Sequence, residues 1–506
     1  MRRVVGAAFL ASFAIYLGTL SHYFVSDDFL NRERNTLVTL ADAFHFFSTV
    51  DVDFYRPIPR LHFGILQGLF FDQPVPWNFA GIVLHALASA LAALLAADLL
   101  GPGPRAKTGA MFTGLFFAVH FIHVEAVVWA SGVTSVYDAI FLFAAILFFR
   151  RARRTGSIRD RTLSVVAFAG ALLSKESAVV LALLLPLTTA LAPIVPQSGR
   201  RTSQWITIPE AIPYILLLAA HAAIVLPIDR GGALSPYRMS IGPNVVKNAA
   251  FFFLGGFVPL RYFELQDLWS ASRANGAGAF SEFLLALVRH PFWIAGIVLG
   301  IAAIAASWRG GRIARLFLLW ILAASAPYLF LGGSGERFLY VPSFGACALL
   351  GMACAWMLER QARWPGRAVG AWATIAVLFA VHIAGNLDRQ KDWITAGKWT
   401  RGIVARWSYL RGIDADRTIE FVGVPDAYQS AWVFRNGFPS MVHLYWEGRP
   451  YWREEERPPG AQAAMRMGVM LNPGGNVGML PADMLPEKGP ASGAVPQSPS
   501  EPGGSP

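Results

Sequence analysis

Long apolar blocks recur along this chain, and they limit its fold more than any motif does. They run at about 4–24, 79–99, 110–128, 134–150, 162–173, 177–195, 209–227, 291–307, 314–331, 341–358 and 368–386. A hydrocarbon crossing needs roughly 20 mainly apolar residues. Lipid offers no partner to a bare backbone, so such blocks satisfy themselves as helices. Only 15% of the 506 residues are charged and 55% are hydrophobic, where soluble domains carry about 25% charged residues. The pattern predicts an all-α polytopic membrane bundle of about 11 spans over residues 1–386.

The net charge of +11 and pI near 9.9 do not call for a nucleic acid. The basic residues gather between apolar blocks: Arg2 and Arg3, Arg105 and Lys107, the run "RRARRTGSIRDR" at 150–161, Arg200 and Arg201, Arg309, Arg312 and Arg315, then Arg360, Arg363 and Arg367. With eleven crossings all of these face one side, which the positive-inside bias makes cytoplasmic. The N-terminus is then expected in the cytoplasm, on an uncleaved first anchor, and the C-terminus outside. A twelfth span at "NVVKNAAFFFLGGFVPL" (244–260) would throw the later Arg-rich loops outward. That short, Gly-broken stretch reads instead as re-entrant or packed on the bundle. Cys347 and Cys354 read as free core thiols.

Residues 387–455 read as a small α+β extracytoplasmic domain. "DRQKDWITAGKWTRGIVARWSYL" has the apolar spacing of an amphipathic helix, in Trp393, Ile394, Ile403 and Trp407. "RTIEFVGVP" and "AWVFRNGFPSMVHLYW" read as strands around an Asn436–Gly437 turn signal. Residues 456–506 are rich in Pro, Gly, Ala and Ser and read as a disordered tail.

Sorted by side, the outer face collects ionisable groups at span ends. The first outer loop (26–76) opens with Asp27 and Asp28, and a carboxylate beside a reacting hydroxyl can serve as general base. Ser26-Asp27-Asp28 is equally a helix start. Further on, Leu37, Leu40, Phe44 and Phe47 predict a helix lying flat at the membrane interface. Tyr55 and Arg56 follow in "FYRPIP", where Arg offers a fork suited to phosphate, or an interfacial anchor. His120, His123 and Glu125 lie in "AVHFIHVEAVVWAS". Glu125 points away from the two histidines on a helix, so this is no zinc-protease signature, and polar lining is the simpler reading. Lys175 and Glu176 sit in "LLSKES", at the tip of a hairpin of two short spans. Glu336, Arg337 and Tyr340 follow a Gly-rich turn in "GGSGERFLYVPS". An outer cavity holding carboxylates and cations suits transfer of a sugar from a lipid phosphate: the phosphate needs cations and the acceptor needs a base. Arg230 and Arg238 belong to the same outer group.

"SDDFLN", "YRPI", "HFIHVEAVVWASG", "LLSKES" and "GERFLYVPS", in this order and at these span ends, resemble the integral-membrane glycosyltransferases of GT-C fold. They are most similar to the protein O-mannosyltransferases of the transmembrane-and-tetratricopeptide type, over about residues 1–390. The resemblance implies a polyprenyl- or dolichyl-phosphate-linked sugar donor, inversion at the anomeric carbon and an acidic base in the first outer loop. That base falls on Asp28, with Asp27 orienting it or exchanging roles. Lys175, Arg337 and Arg56 fall near the donor phosphate. Tyr55, His120, His123, Glu125, Glu176, Glu336 and Tyr340 line the cavity. No resident cofactor or metal is expected, with a divalent ion as the open alternative. The chain departs from the pattern at Phe121, where a proline is usual, and at Val133-Thr134-Ser135, where Arg-x-Asp is usual. It also shows no tetratricopeptide repeats. The acceptor is therefore open among protein, polysaccharide and glycolipid. The expected setting is a bacterial inner membrane, with the membrane and the lipid-linked donor as partners. A flippase or transporter, a non-catalytic scaffold, and a ligase using a pyrophosphate donor are the alternatives.

Overall fold

A computed structural model describes residues 1–51, 53–194, 205–228, 239–274, 281, 285, 291–361, 368–410, 418–446, 451–453, 465–471 and 477–481. Arg200, Arg201, Arg230, Arg238, Arg363, Arg367 and the end of the tail lie outside these residues. The chain divides into two compact units. One contains Met1–His22, Asn31–Tyr262 and Leu285–Lys391; the other contains Tyr23–Leu30, Phe263–Leu284 and Asp392–Pro506.

The first unit is helical. A helix overlaps every one of the apolar blocks. Among the described residues, five helices are long and apolar enough to cross a membrane: Pro74–Leu100, Ala130–Thr155, Ile208–Val225, Gly311–Leu329 and Val369–Arg406. The pair Pro104–Val119 and Phe121–Val128, bent by 45°, makes a sixth if it is one span. The bend falls at His120, whose extended backbone (ψ 128°) stops the helix. Close packing uses small residues, as expected between membrane helices. A Cβ on Gly351 would come within 2.5 Å of both the Gly109 carbonyl oxygen and the Thr113 hydroxyl, so helices Pro104–Val119 and Ser343–Gln361 meet backbone to backbone. Ser12 donates to Ser89 at 2.8 Å across two further helices. At the Arg-rich end of helix Val133–Thr155, buried Arg150 pairs with Asp98 and donates to the carbonyls of Thr188 and Ala192.

The stretch at 244–260 carries the 12-residue helix Pro243–Leu254. At 1.5 Å per residue that is about 18 Å, too short to cross. Asn248 ties it to the carbonyls of Tyr328, Leu329 and Leu331. The loop at 26–76 contains helix Leu40–Ser48, which starts with a capping box between Thr39 and Asp42. Leu40 and Phe44 are exposed while Phe46 is buried. Cys347 and Cys354 are buried free thiols.

The second unit corrects three expectations. The amphipathic helix at 387–410 is not separate from the last apolar block: Ala368–Leu410 is one 43-residue helix, and "GNLDRQK" carries no proline to break it at the junction. "FPSMVHLYW" is a helix, Phe438–Trp446, rather than a strand. Its buried residues Phe438, Met441, Val442 and Trp446 recur at helical spacing, and Pro439 fits a first turn where no N–H is needed. The segment expected to be a disordered tail supplies two strands. Strand β1 (Ile419–Val422) pairs in parallel with β4 (Tyr451–Arg453) and with β5 (Met465–Leu471), and β5 pairs antiparallel with β6 (Val477–Pro481). The alternation "MRMGVML" is strand-like, and the Pro/Gly-rich composition around it hid that signal. Strands β2 (Ala427–Tyr428) and β3 (Ala431–Trp432) form a small hairpin.

Candidate active site

The helical unit gathers charges around the Lys175 hairpin. Helix Ile158–Leu172 ends as Ser174 donates to Gly170 and the Lys175 N–H donates to Ala171. Lys175 is extended (φ −162°), and a tight turn Glu176–Val180 leads into helix Leu181–Leu191. This geometry turns the lysine inward, where it is 3% exposed. Its ammonium donates to Ser135 Oγ at 2.7 Å and lies 4.9 Å and 5.3 Å from the ring centres of Phe338 and Tyr328. Aromatic faces at such distances attract a cation. Burial pushes the Lys175 amine well down, opposed by the negative charge of Asp138 and reinforced by Arg56 and Arg337.

Asp138 stands one helical turn beyond Ser135 and is 1% exposed. One carboxylate oxygen accepts from Ser177 at 2.7 Å. The other has no hydrogen-bond partner among the described residues. A buried, half-satisfied carboxylate in an apolar helix is costly to keep.

Two cations flank this pair, each held by its own acid. Arg56 directly precedes helix Pro57–Phe70, stacks 3.8 Å over Phe54 and donates to both oxygens of Glu176 at 2.7–3.2 Å. Arg337 pairs with Glu125, whose other oxygen accepts the Arg337 backbone N–H at 2.7 Å. Its guanidinium lies 5.0 Å over Trp129 and 4.7 Å over Phe338. Phe338 thus faces both Lys175 and Arg337. The Lys175 charge also interacts with Asp138, Arg56, Arg337 and Glu176.

The remaining sequence-predicted residues of this unit do different work. Glu336 accepts from Arg389 at 2.7 Å; burial raises its carboxyl, against the pull of the Arg389 charge. Tyr55 donates its hydroxyl to the Phe47 carbonyl at 2.8 Å and so holds helix Leu40–Ser48. His120, His123 and Tyr340 are fully buried. His120 uses its ring nitrogens on the Gly256 carbonyl and the Ile122 N–H. His123 meets the Phe117 carbonyl and Ser343 Oγ. Tyr340 meets His85 at 2.6 Å. These three are packed network residues within the bundle, engaged by their neighbours. Among the described residues no group of three His, Cys, Asp or Glu could hold a metal ion.

Asp27 and Asp28 fall in the second unit and open helix Asp27–Arg34. Asp28 is 1% exposed, and one of its oxygens accepts the Val25 N–H at 3.1 Å. Asp27 is half-buried and accepts from Ser26 Oγ at 3.4 Å. The two acids are therefore unequal: Asp28 is buried and oriented, Asp27 is only half-buried.

Sequence reasoning missed Asp138, Ser135, Ser177 and Arg389. The signal for Asp138 was present: it is the one acid inside the run "VYDAIFLFAAILFF", and an acid within a span is a functional candidate by default.

Helices long and apolar enough to cross a membrane, with cations caged at helix ends, fit a multi-pass membrane protein. The protein O-mannosyl-transferase Tmtc1 of Drosophila melanogaster is 30% identical over 211 residues, 40% of this chain. The resemblance read from the motifs is thereby borne out. The chain spans about a quarter of that relative's length, 24%. The solved structure of ArnT from Cupriavidus metallidurans bound to undecaprenyl phosphate superposes with a TM-score of 0.47 at 12% identity, covering 91% of this chain and 92% of that one. No protein-family profile matches the chain.

Proposed function

We propose that this protein is an inverting glycosyltransferase that moves a sugar from a polyprenyl-phosphate carrier to an acceptor hydroxyl on the outer face of a bacterial inner membrane. The observation that carries the reading is the gathering of Lys175, Arg56 and Arg337, from three distant stretches of chain, around one buried aromatic and acidic cluster. The similarity to a protein O-mannosyl-transferase supports it. About eleven crossings, with an inner N-terminus and an outer C-terminus, belong to the same proposal.

In this reading the acceptor oxygen attacks C1 of the sugar. The C1–O bond to the acceptor forms on the face opposite the breaking C1–O bond to phosphate. The electron pair of the broken bond leaves on the phosphate oxygen, and the acceptor proton passes to the Asp28 carboxylate. The carrier phosphate gains one negative charge, so cations fixed in place lower the barrier. Lys175 supplies a compact charge with only Ser135 as hydrogen-bond partner among the described residues. Arg56 and Arg337 supply forks already held by Glu176 and Glu125. Asp138 acts through Lys175: its negative charge favours the ammonium form against burial. Asp27, only half-buried, orients the acid turn.

The test is in-vitro transfer from a panel of radiolabelled polyprenyl-phosphate sugars, with identification of the labelled product. Asp28→Asn should abolish transfer and leave fold and expression intact. Full activity in both Asp27→Asn and Asp28→Asn would refute the assignment.

A further inference from the structure

The backbone that carries the acid pair is shaped by the C-terminal part of the chain. Tyr23–Leu30 form one compact unit with Asp392–Pro506. Residues 22–25 have no regular structure of their own. Their course is fixed by neighbours. Ser26 donates its N–H to the Val433 carbonyl at 2.7 Å, and the Phe24 carbonyl accepts from Thr400 Oγ1 at 2.7 Å. The Tyr23 and Tyr445 hydroxyls meet at 3.0 Å. Phe29 stacks on Phe434, ring centres 6.3 Å apart. Val25, Val433 and Phe434 are wholly buried.

The closest approach is at Gly437. A Cβ there would lie 1.9 Å from the Ser26 carbonyl oxygen and 2.4 Å from its carbon. Ser26 itself is held in the left-handed region at φ 48°. Among the described residues four non-glycines have positive φ, and three of them, Ser26, Gln429 and Arg435, belong to this unit. Strain of that kind persists only where the surroundings over-determine it, and it collects at functional sites. Ser26 is the hinge of the acid turn: its carbonyl accepts the Phe29 N–H, and the Val25 carbonyl and N–H bind the Asp28 backbone and carboxylate respectively.

We infer that the Ala431–Gly437 loop is a positioning device for the Asp28 carboxylate, with Gly437 as its principal positioning residue. This assigns a task to the C-terminal domain, and it rests on Asp28 being the base. Any side chain at Gly437 must displace the Ser26 peptide, and the first turn of helix Asp27–Arg34 follows it. A misplacement of about 1 Å at a reacting group can cost about 100-fold in rate. Carrier binding, assigned to Lys175, Arg56 and Arg337, does not depend on that peptide.

The experiment uses the full-length protein in liposomes. Turnover is measured with whichever radiolabelled undecaprenyl-phosphate hexose the wild type consumes, and affinity by equilibrium binding of undecaprenyl phosphate. Gly437→Ala should lower kcat by about 30- to 100-fold and leave undecaprenyl phosphate affinity within about twofold. Thr400→Val, which removes a donor without adding bulk, should lower kcat by about threefold to tenfold with the same split. Wild-type kcat in a folded Gly437→Ala protein, or equal losses in kcat and lipid affinity, overturns the inference. If Gly437→Ala does not fold, unchanged kcat in Thr400→Val overturns it. Asp28→Asn is the separate control: activity there removes the base assignment, whereas an inactive Asp28→Asn beside a fully active Gly437→Ala removes only the positioning role.

Discussion

Lys175 was legible as a candidate because a lysine between two short apolar blocks has few bland explanations. Its partner was not. Asp138 carries no motif, and its relation to Lys175 and Ser177 exists only once helix Val133–Thr155 packs on the hairpin. Asp138→Asn removes the charge that favours the Lys175 ammonium. Donor KM should rise about tenfold, with kcat changed less, in steady-state transfer kinetics. The pH dependence follows from the sign of the Lys175 shift. A lowered amine sheds its proton at lower pH than the usual value of about 10.4, so carrier affinity should weaken as pH rises through the range below that value. Lys175→Arg keeps the charge and should flatten this limb; a limb unchanged in Lys175→Arg would assign it elsewhere. His120 and His123 show the converse. Their spacing drew attention, but carbonyls, hydroxyls and ring faces occupy them, which only the fold could reveal.

Among the elements, the span helices were readable because hydrocarbon leaves the backbone one solution. The short C-terminal elements were not, since period 2 and period 3.6 compete within nine residues such as "FPSMVHLYW". Two predictions belong at this scale. Leu40 and Phe44 point outward from a capped helix, which suits an interface. A polarity-sensitive fluorophore on Phe44→Cys should shift to the blue when the protein passes from detergent into liposomes, and an unshifted spectrum would count against an interfacial helix. Gly351 allows two backbones to touch. Gly351→Leu must force helices Pro104–Val119 and Ser343–Gln361 apart, and thermal unfolding in detergent should fall by several degrees, with Gly370→Ala, which meets nothing within 4 Å, as the neutral control.

At the scale of the whole molecule, composition and the Arg-rich loops were enough to predict a polytopic membrane protein, and the helices agree with that. Grouping by contact was out of reach of sequence: nothing in "YFVSDDFL" announces that it packs with residues four hundred positions away. The charge bias predicts that a cysteine placed near Arg154 reacts with membrane-impermeant maleimide only after the cells are opened. One placed in the Asp426–Ser430 turn should react in intact spheroplasts.

The most direct measurement is transfer in proteoliposomes from radiolabelled undecaprenyl-phosphate sugars, with the anomeric configuration of the product read by NMR. The account predicts an inverted product, lost in Asp28→Asn and made at raised donor KM in Lys175→Met. Retained configuration, or undiminished transfer by Asp28→Asn, would contradict it.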